Sequence, residues 1–162
     1  MRMNAETLRR AKALLENETP LKTDCGALCG AACCRTDADG KGGVYLFPGE
    51  DAAEMVWGEV RPDGFAPMLR CAGPCDRAAR PLACRIFPLT PVKGEKGWTV
   101  RMDARARGLC PLYRHGARGL NPDFARAAVR ALRLIASDPE GEEFLNRWAA
   151  LEKEYRLLCP VR

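Results

Sequence analysis

The sequence predicts an α+β fold, mainly helical, in which helices at both ends flank an irregular middle with short strands. Ala, Leu, Glu and Arg dominate the two ends, as is typical of helices. Most of the 12 prolines and 15 glycines lie between residues 20 and 120, where they favour turns. Apolar residues make up 47% of the chain, enough for a modest hydrophobic core. For a length of 162 residues we therefore expect residues 1–162 to form a single domain.

Apolar periodicity predicts a helix at the amino-terminal end and a helical hairpin at the carboxy-terminal end. Residues 5–18 carry apolar side chains at helical spacing, and Thr19-Pro20 ends that pattern. Asn121-Pro122-Asp123 is a capping sequence for a second helix, and Ser137-Asp138-Pro139-Glu140 starts a third. The apolar stripes of these two helices are Phe124, Ala128, Leu132 and Ile135, then Phe144, Trp148, Leu151, Tyr155 and Leu158. Two stripes joined by a short turn predict an antiparallel hairpin over residues 121–158.

Short strands and one short helix are predicted between these ends. Residues 42–47 and 97–103 alternate large side chains as strands do, and residues 65–70 are predicted to be extended. The strand at 97–103 is expected to pair with residues 82–89 or with the earlier strand. Residues 48–57 begin with acids and end before Gly58, which predicts a short helix.

Nine cysteines are the most unusual feature of the composition. The first residues contain no uninterrupted apolar segment, so we expect no secretory signal and a reducing, cytoplasmic setting. No segment approaches membrane-spanning length, and no membrane association is expected. An odd number of thiols in a reducing compartment favours metal ligation over a disulfide framework. Eight of the nine form the candidate set: Cys25, Cys29, Cys33, Cys34, Cys71, Cys75, Cys84 and Cys110.

The spacing of the first cysteines is compatible with a metal site. Cys25, Cys29 and Cys33 are four residues apart, so on a helical turn their side chains would lie along one face. Cβ atoms about 5–6 Å apart can bring sulfurs around a tetrahedral zinc ion by choice of rotamer. Cys34 is expected to face elsewhere, because adjacent side chains diverge on a helix and on a strand. Three arrangements remain open: two metal sites, one multinuclear cluster, or one cysteine used for packing.

The net charge of +5 hides a strongly basic segment. Residues 70–118 contain eleven Lys or Arg and three acids. Because the segment has few aromatic side chains and no groove-reading motif, we expect a solvated face rather than a nucleic-acid interface. Some of these cations can instead offset the negative charge of four thiolates around a dication. The arginines placed to do so are Arg70, Arg77, Arg80 and Arg85.

The order of these motifs resembles that of a known family. A cysteine pair, an acid-started helix and a Cys-x3-Cys motif are followed by Arg80-Pro81-x2-Cys84-Arg85-x-Phe87-Pro88 and then Cys110. Over residues 20–112 this order is similar to the YkgJ-type cysteine-cluster family. These are bacterial proteins described as zinc- or iron-chelating domains, related to the cysteine-rich part of flagellin lysine-N-methylases. The resemblance implies a bacterial protein in which all eight candidate cysteines are metal ligands.

We therefore expect a metal-binding protein of the zinc- or iron-chelating kind, with a metal-organised middle over residues 20–112. The alternative is an iron–sulfur protein that acts in electron transfer or as an accessory to a methyltransferase-type reaction. No catalytic residue is assigned. A nucleophilic cysteine enzyme is disfavoured, because crowded cysteines prefer ligation and the single histidine, His115, has no evident orienting partner. A metal ion is the expected partner, and a protein partner stays open.

Overall fold

The computed structural model describes residues 2–35, 42–73 and 75–159. Within these ranges the chain has the predicted α+β composition, with helices at both ends and short strands between them. The helices are α1 (Ala5–Leu14), α2 (Gly26–Cys29), α3 (Leu82–Ile86), α4 (Pro122–Ile135) and α5 (Pro139–Leu158). The strands are β1 (Val44–Tyr45), β2 (Gly58–Arg61), β3 (Met68–Cys71), β4 (Leu89–Gly94) and β5 (Gly97–Met102). Short 3-10 turns connect many of these elements.

The strands form two small antiparallel sheets. One has the order β1-β3-β2 and the other is the β4-β5 hairpin, which turns between Gly94 and Gly97. The sequence did not reveal β2, and the expected pairing of the last strand with residues 82–89 is wrong. Leu82–Ile86 is helical because Leu82, Ala83 and Ile86 recur at helical spacing and are all buried. Sequence neighbours in β4 therefore take the role of the partner strand.

The helix predicted over residues 48–57 is also wrong, since only Ala52–Glu54 forms a 3-10 turn. Glu50 explains the difference, because its buried carboxylate is tied to three other segments. It accepts hydrogen bonds from the backbone amides of Phe47 and Leu82, both at 2.9 Å, and it pairs with Lys12 at 2.8 Å. A helical turn would break these contacts, and a buried carboxylate without partners is costly.

The carboxy-terminal helices begin where the sequence predicts. Asn121 caps α4 and Asp138 caps α5, each by accepting a hydrogen bond from a first-turn amide. The predicted stripe of α4 is fully buried, whereas that of α5 is buried only as far as Trp148. Further along α5 the buried position is Glu152, and Leu158 is 82% exposed.

The two helices of the predicted hairpin pack chiefly against other elements. α4 lies against α1 and β5, and α5 lies against β4, with few contacts between α4 and α5 themselves. The main core combines these helices with α3 and an aromatic group formed by Phe47, Phe144 and Trp148. Among the described helices, none has an apolar stretch long enough to cross a membrane. This packed frame supports the loops that carry the cysteines.

Candidate metal centre

Six of the eight candidate cysteines line one cavity of about 60 Å³. The cavity lies where α2, the following 3-10 turn, α3 and the segment before Pro111 meet. Residues far apart in the sequence therefore reach a common space. The six are Cys25, Cys29, Cys33, Cys34, Cys84 and Cys110.

The first cysteines do not lie along one helical face, so that expectation is wrong. Helix α2 ends at Cys29, and Gly30 and Ala31 both adopt left-handed backbone with φ of 60° and 55°. Glycine tolerates this conformation, whereas it costs about 1–2 kcal/mol at an L-residue such as alanine. The reversal starts a separate 3-10 turn, Ala32–Cys34. It brings the last two cysteines of the cluster back to the cavity that Cys25 and Cys29 line.

Cys33 and Cys34 differ in exposure but contact each other. Cys34 is buried and Cys33 is exposed, as the divergence of adjacent side chains predicts. Their side chains nevertheless share a hydrogen bond, which raises the pKa of Cys33 and lowers the pKa of Cys34 to about 6. Both also line the same cavity. A single site can therefore reach both sulfurs, which the sequence left open.

A second group of thiols surrounds the side chain of Arg80. Burial, followed by the charges of Cys34 and Cys75, raises the pKa of Cys71 to about 11. Burial likewise raises the pKa of Cys84 to about 12, against the opposing influence of Arg80. These mutual influences place Cys34, Cys71, Cys75 and Cys84 within electrostatic range of one another and of Arg80. Cys71 and Cys75 do not line the cavity, so they approach this group from outside it.

The remaining thiols form a neighbouring group. Burial is the main cause of the raised pKa of Cys25, followed by Asp24, Cys110 and Cys29. The pKa of Cys110 is also raised, first by burial, and Cys29 contributes to the same shift. Cys25, Cys29 and Cys110 are thus near one another, and the influence of Cys33 extends to both groups through Cys25 and Cys84.

Arg80 is the cation closest in role to the counter-charge expected from the sequence. Burial acts to lower its pKa, but Cys84, Cys75 and Cys34 outweigh that effect and raise it. Its buried Nε atom has no hydrogen-bond acceptor among the described residues. Arg77 and Arg85 instead donate to backbone carbonyls, Arg77 to those of residues 16 and 18, and so they hold the surrounding loops.

The side chains at this site retain thiol chemistry. No disulfide joins any of the nine cysteines, all of which lie in the described ranges. Across residues 2–35, 42–73 and 75–159, no three His, Cys, Asp or Glu side chains converge closely enough to hold a metal ion as placed. The donor set itself, soft sulfurs gathered beside an arginine, suits zinc and iron.

Two other residues considered from the sequence lie away from the cavity, and one lining residue was missed. His115 is exposed at the end of a 3-10 turn, and Cys159 is exposed at the end of α5. Asp24 lines the cavity, and its carboxylate accepts a hydrogen bond from the amide of Gly26 at 3.0 Å. Its position directly before Cys25 was the available signal for that role.

Comparisons of the chain with protein-family models, with curated proteins and with solved structures find no match. Membership of the cysteine-cluster family therefore stays a prediction from the motifs. The functional argument depends on the site itself.

Proposed function

We propose that this protein binds zinc or iron through cysteine thiolates and that the bound metal organises residues 20–112. The observation that carries the proposal is the lining of one cavity by six cysteines from four separate segments. Packing alone gives no reason to gather so many thiols, whereas soft divalent metals and iron–sulfur clusters are commonly held by such sets. The resemblance to YkgJ-type proteins supports the same function.

The charge balance around the thiols also supports metal binding. Four thiolates around a dication carry a net charge of about −2, and Arg80 lies beside the thiols with an unsatisfied buried Nε atom. A guanidinium in this position stabilises a negatively charged metal–thiolate centre. The raised pKa values of Cys71 and Cys84 mean that the metal must displace protons when it binds.

The grouping of the thiols supports up to two four-coordinate ions. Around Arg80 the proposed ligands are Cys34, Cys71, Cys75 and Cys84. The neighbouring ligands are Cys25, Cys29 and Cys110, with Cys33 as their fourth. An iron–sulfur centre that acts in electron transfer, or as an accessory to a methyltransferase-type reaction, is the alternative occupant of the same eight ligands.

Metal analysis of untagged protein purified without oxygen tests this function. We expect stoichiometric zinc in a colourless protein, or iron with acid-labile sulfide and broad visible absorbance in a brown one. Either result supports metal binding, and the second assigns the iron–sulfur alternative. A protein that is isolated without metal, and that takes up neither zinc nor iron under reducing conditions, would contradict the proposal.

A further inference from the structure

A second cavity, of about 330 Å³, lies on the other side of α3 from the thiols. Phe87 lines both cavities, whereas Ala83 lines the second and its neighbour Cys84 lines the first. The second cavity is bounded by β1, β3, α3, the start of β4, the turn after β5, and α5. The metal proposal makes no use of this space.

The walls of this cavity are mostly apolar and aromatic. Met68, Phe87 and Leu89 line it beside the ring of Tyr45. Phe65 supports Tyr45 by an edge contact with ring centroids 4.8 Å apart. A flat apolar molecule would find complementary surfaces here, as most small-molecule sites provide.

The polar group at the cavity is an arginine fixed in place. Arg105 donates to both oxygens of Asp103, from Nε at 3.0 Å and from Nη2 at 2.6 Å. Its Cζ atom also lies 5.4 Å from the ring of Tyr45 and 5.9 Å from the ring of Trp148. The third guanidinium nitrogen, Nη1, carries two further N–H donors. The guanidinium is therefore pre-organised, with donor capacity beyond its pairing with Asp103.

Trp148 provides a second donor. Its side chain is only 3% exposed, and its indole N–H has no acceptor among the described residues. A buried donor left without a partner costs about 1–3 kcal/mol. Because Trp148 lines the cavity beside Arg105, one acceptor group entering there can satisfy both residues.

The local charges favour an anionic acceptor. Arg101, Arg105 and Arg156 lie in one electrostatic network with the buried acids Asp103 and Glu152, which leaves one positive charge in excess. The exposed Asp63 also influences Tyr45, but solvent screens a charge at the surface. Arginine recognises planar carboxylates through parallel hydrogen bonds.

We infer that this cavity binds a small carboxylic acid with a flat, aromatic body. The carboxylate accepts hydrogen bonds from Arg105 and from the indole N–H of Trp148, and the aromatic body packs against Phe87 and Leu89. The site is separate from the cysteines and does not depend on metal binding.

Phenylacetate is a suitable probe, with phenylacetamide as its neutral analogue. Titration of the ¹⁵N-labelled protein, followed by its tryptophan indole N–H signals, reports both affinity and location. We expect saturable binding of phenylacetate that shifts the signal of Trp148 and leaves that of Trp57 in place. Phenylacetamide should bind about 10-fold more weakly, as the loss of a charge-assisted hydrogen bond predicts.

Trp148→Phe removes the indole N–H and keeps an aromatic ring, and it also assigns the Trp148 signal. We expect it to weaken phenylacetate binding about 10-fold, while Trp98→Phe, at a buried tryptophan outside the cavity lining, leaves binding unchanged. The comparison of the two probes on unaltered protein decides the matter if a variant fails to fold. Absence of saturable binding, equal affinity for the two probes, or unchanged affinity in a folded Trp148→Phe variant would each overturn the inference.

Discussion

Replacement of Cys84 by serine is the most direct test of the metal centre. Cys84 lies in α3 between core residues, and it belongs to both the cavity lining and the group of thiols around Arg80. Serine has nearly the same size, and its hydroxyl can bond the carbonyl of Arg80 one helical turn earlier. We therefore expect the fold to persist, with a change of about 1 kcal/mol in the free energy of unfolding of the metal-free protein.

The expected loss of metal affinity is much larger. The apparent binding free energy of a structural zinc site is about 10–16 kcal/mol, so one ligand in four carries about 3 kcal/mol on average. Loss of the Cys84 sulfur should therefore weaken binding of one metal ion roughly 100-fold. The melting temperature of the metal-loaded protein should fall with it, because metal binding is coupled to folding.

A competition titration with a chromogenic chelator under reducing conditions measures this change. Cys159→Ser is the matched control, because Cys159 is exposed at the end of α5, outside the cavity lining. We expect the control to match the unaltered protein in both affinity and stoichiometry. Equal metal binding by Cys84→Ser and the unaltered protein would refute the assignment of Cys84, and an equal loss in both variants would show that the effect is not specific to the centre.

Three further predictions follow from individual residues. Gly141→Ala should destabilise the protein by about 2 kcal/mol despite the better helix propensity of alanine, because the new Cβ would overlap the backbone oxygen of Ile135. Gly64→Ala, in open space, should be neutral or slightly stabilising in the same denaturant titration, and equal effects would contradict the packing argument. Arg80→Gln should weaken metal binding about 10-fold or more in the chelator competition, with Arg80→Lys retaining most of the affinity; a Gln variant with full affinity would remove the counter-charge role. The metal-free protein should lose stability as the pH rises from 9 towards 12, because the pKa of Cys84 is raised from 9.0 to about 12 on folding and the unfolded chain ionises first. Denaturant unfolding across this range measures the slope, and a slope that is the same in Cys84→Ser would exclude this thiol as a source.

Local signals in the sequence predicted the helix boundaries well. Asn121 and Asp138 cap α4 and α5 by bonds to amides two or three residues away, so no distant partner is needed to recognise them. The buried stripe of α4 was equally visible, because the helical period dictates which side chains share a face. In α5 the same reasoning failed beyond Trp148, since the body of the protein no longer covers the predicted positions.

Long-range contacts decided the features that were predicted wrongly. Glu50 prevents a helix at 48–57 through partners on α1 and α3, and nothing near it in the sequence indicates those partners. The aromatic cavity beside Arg105 was likewise invisible, because its walls come from six separate segments. The Asp103 carboxylate that orients Arg105 is adjacent in sequence, but the rings of Tyr45 and Trp148 are not.

The sequence alone determined the chemistry of the candidate centre, because the number and type of its sulfur donors are properties of composition and spacing. Tertiary structure decided which donors are neighbours. The left-handed backbone at Gly30 and Ala31 brings Cys33 and Cys34 back to the cavity of Cys25. The packing of distant segments places Cys110 near Cys29, and it also sets Arg80 among four thiols. Proximity between distant residues depends on how the whole core packs, and no local pattern in the chain encodes it.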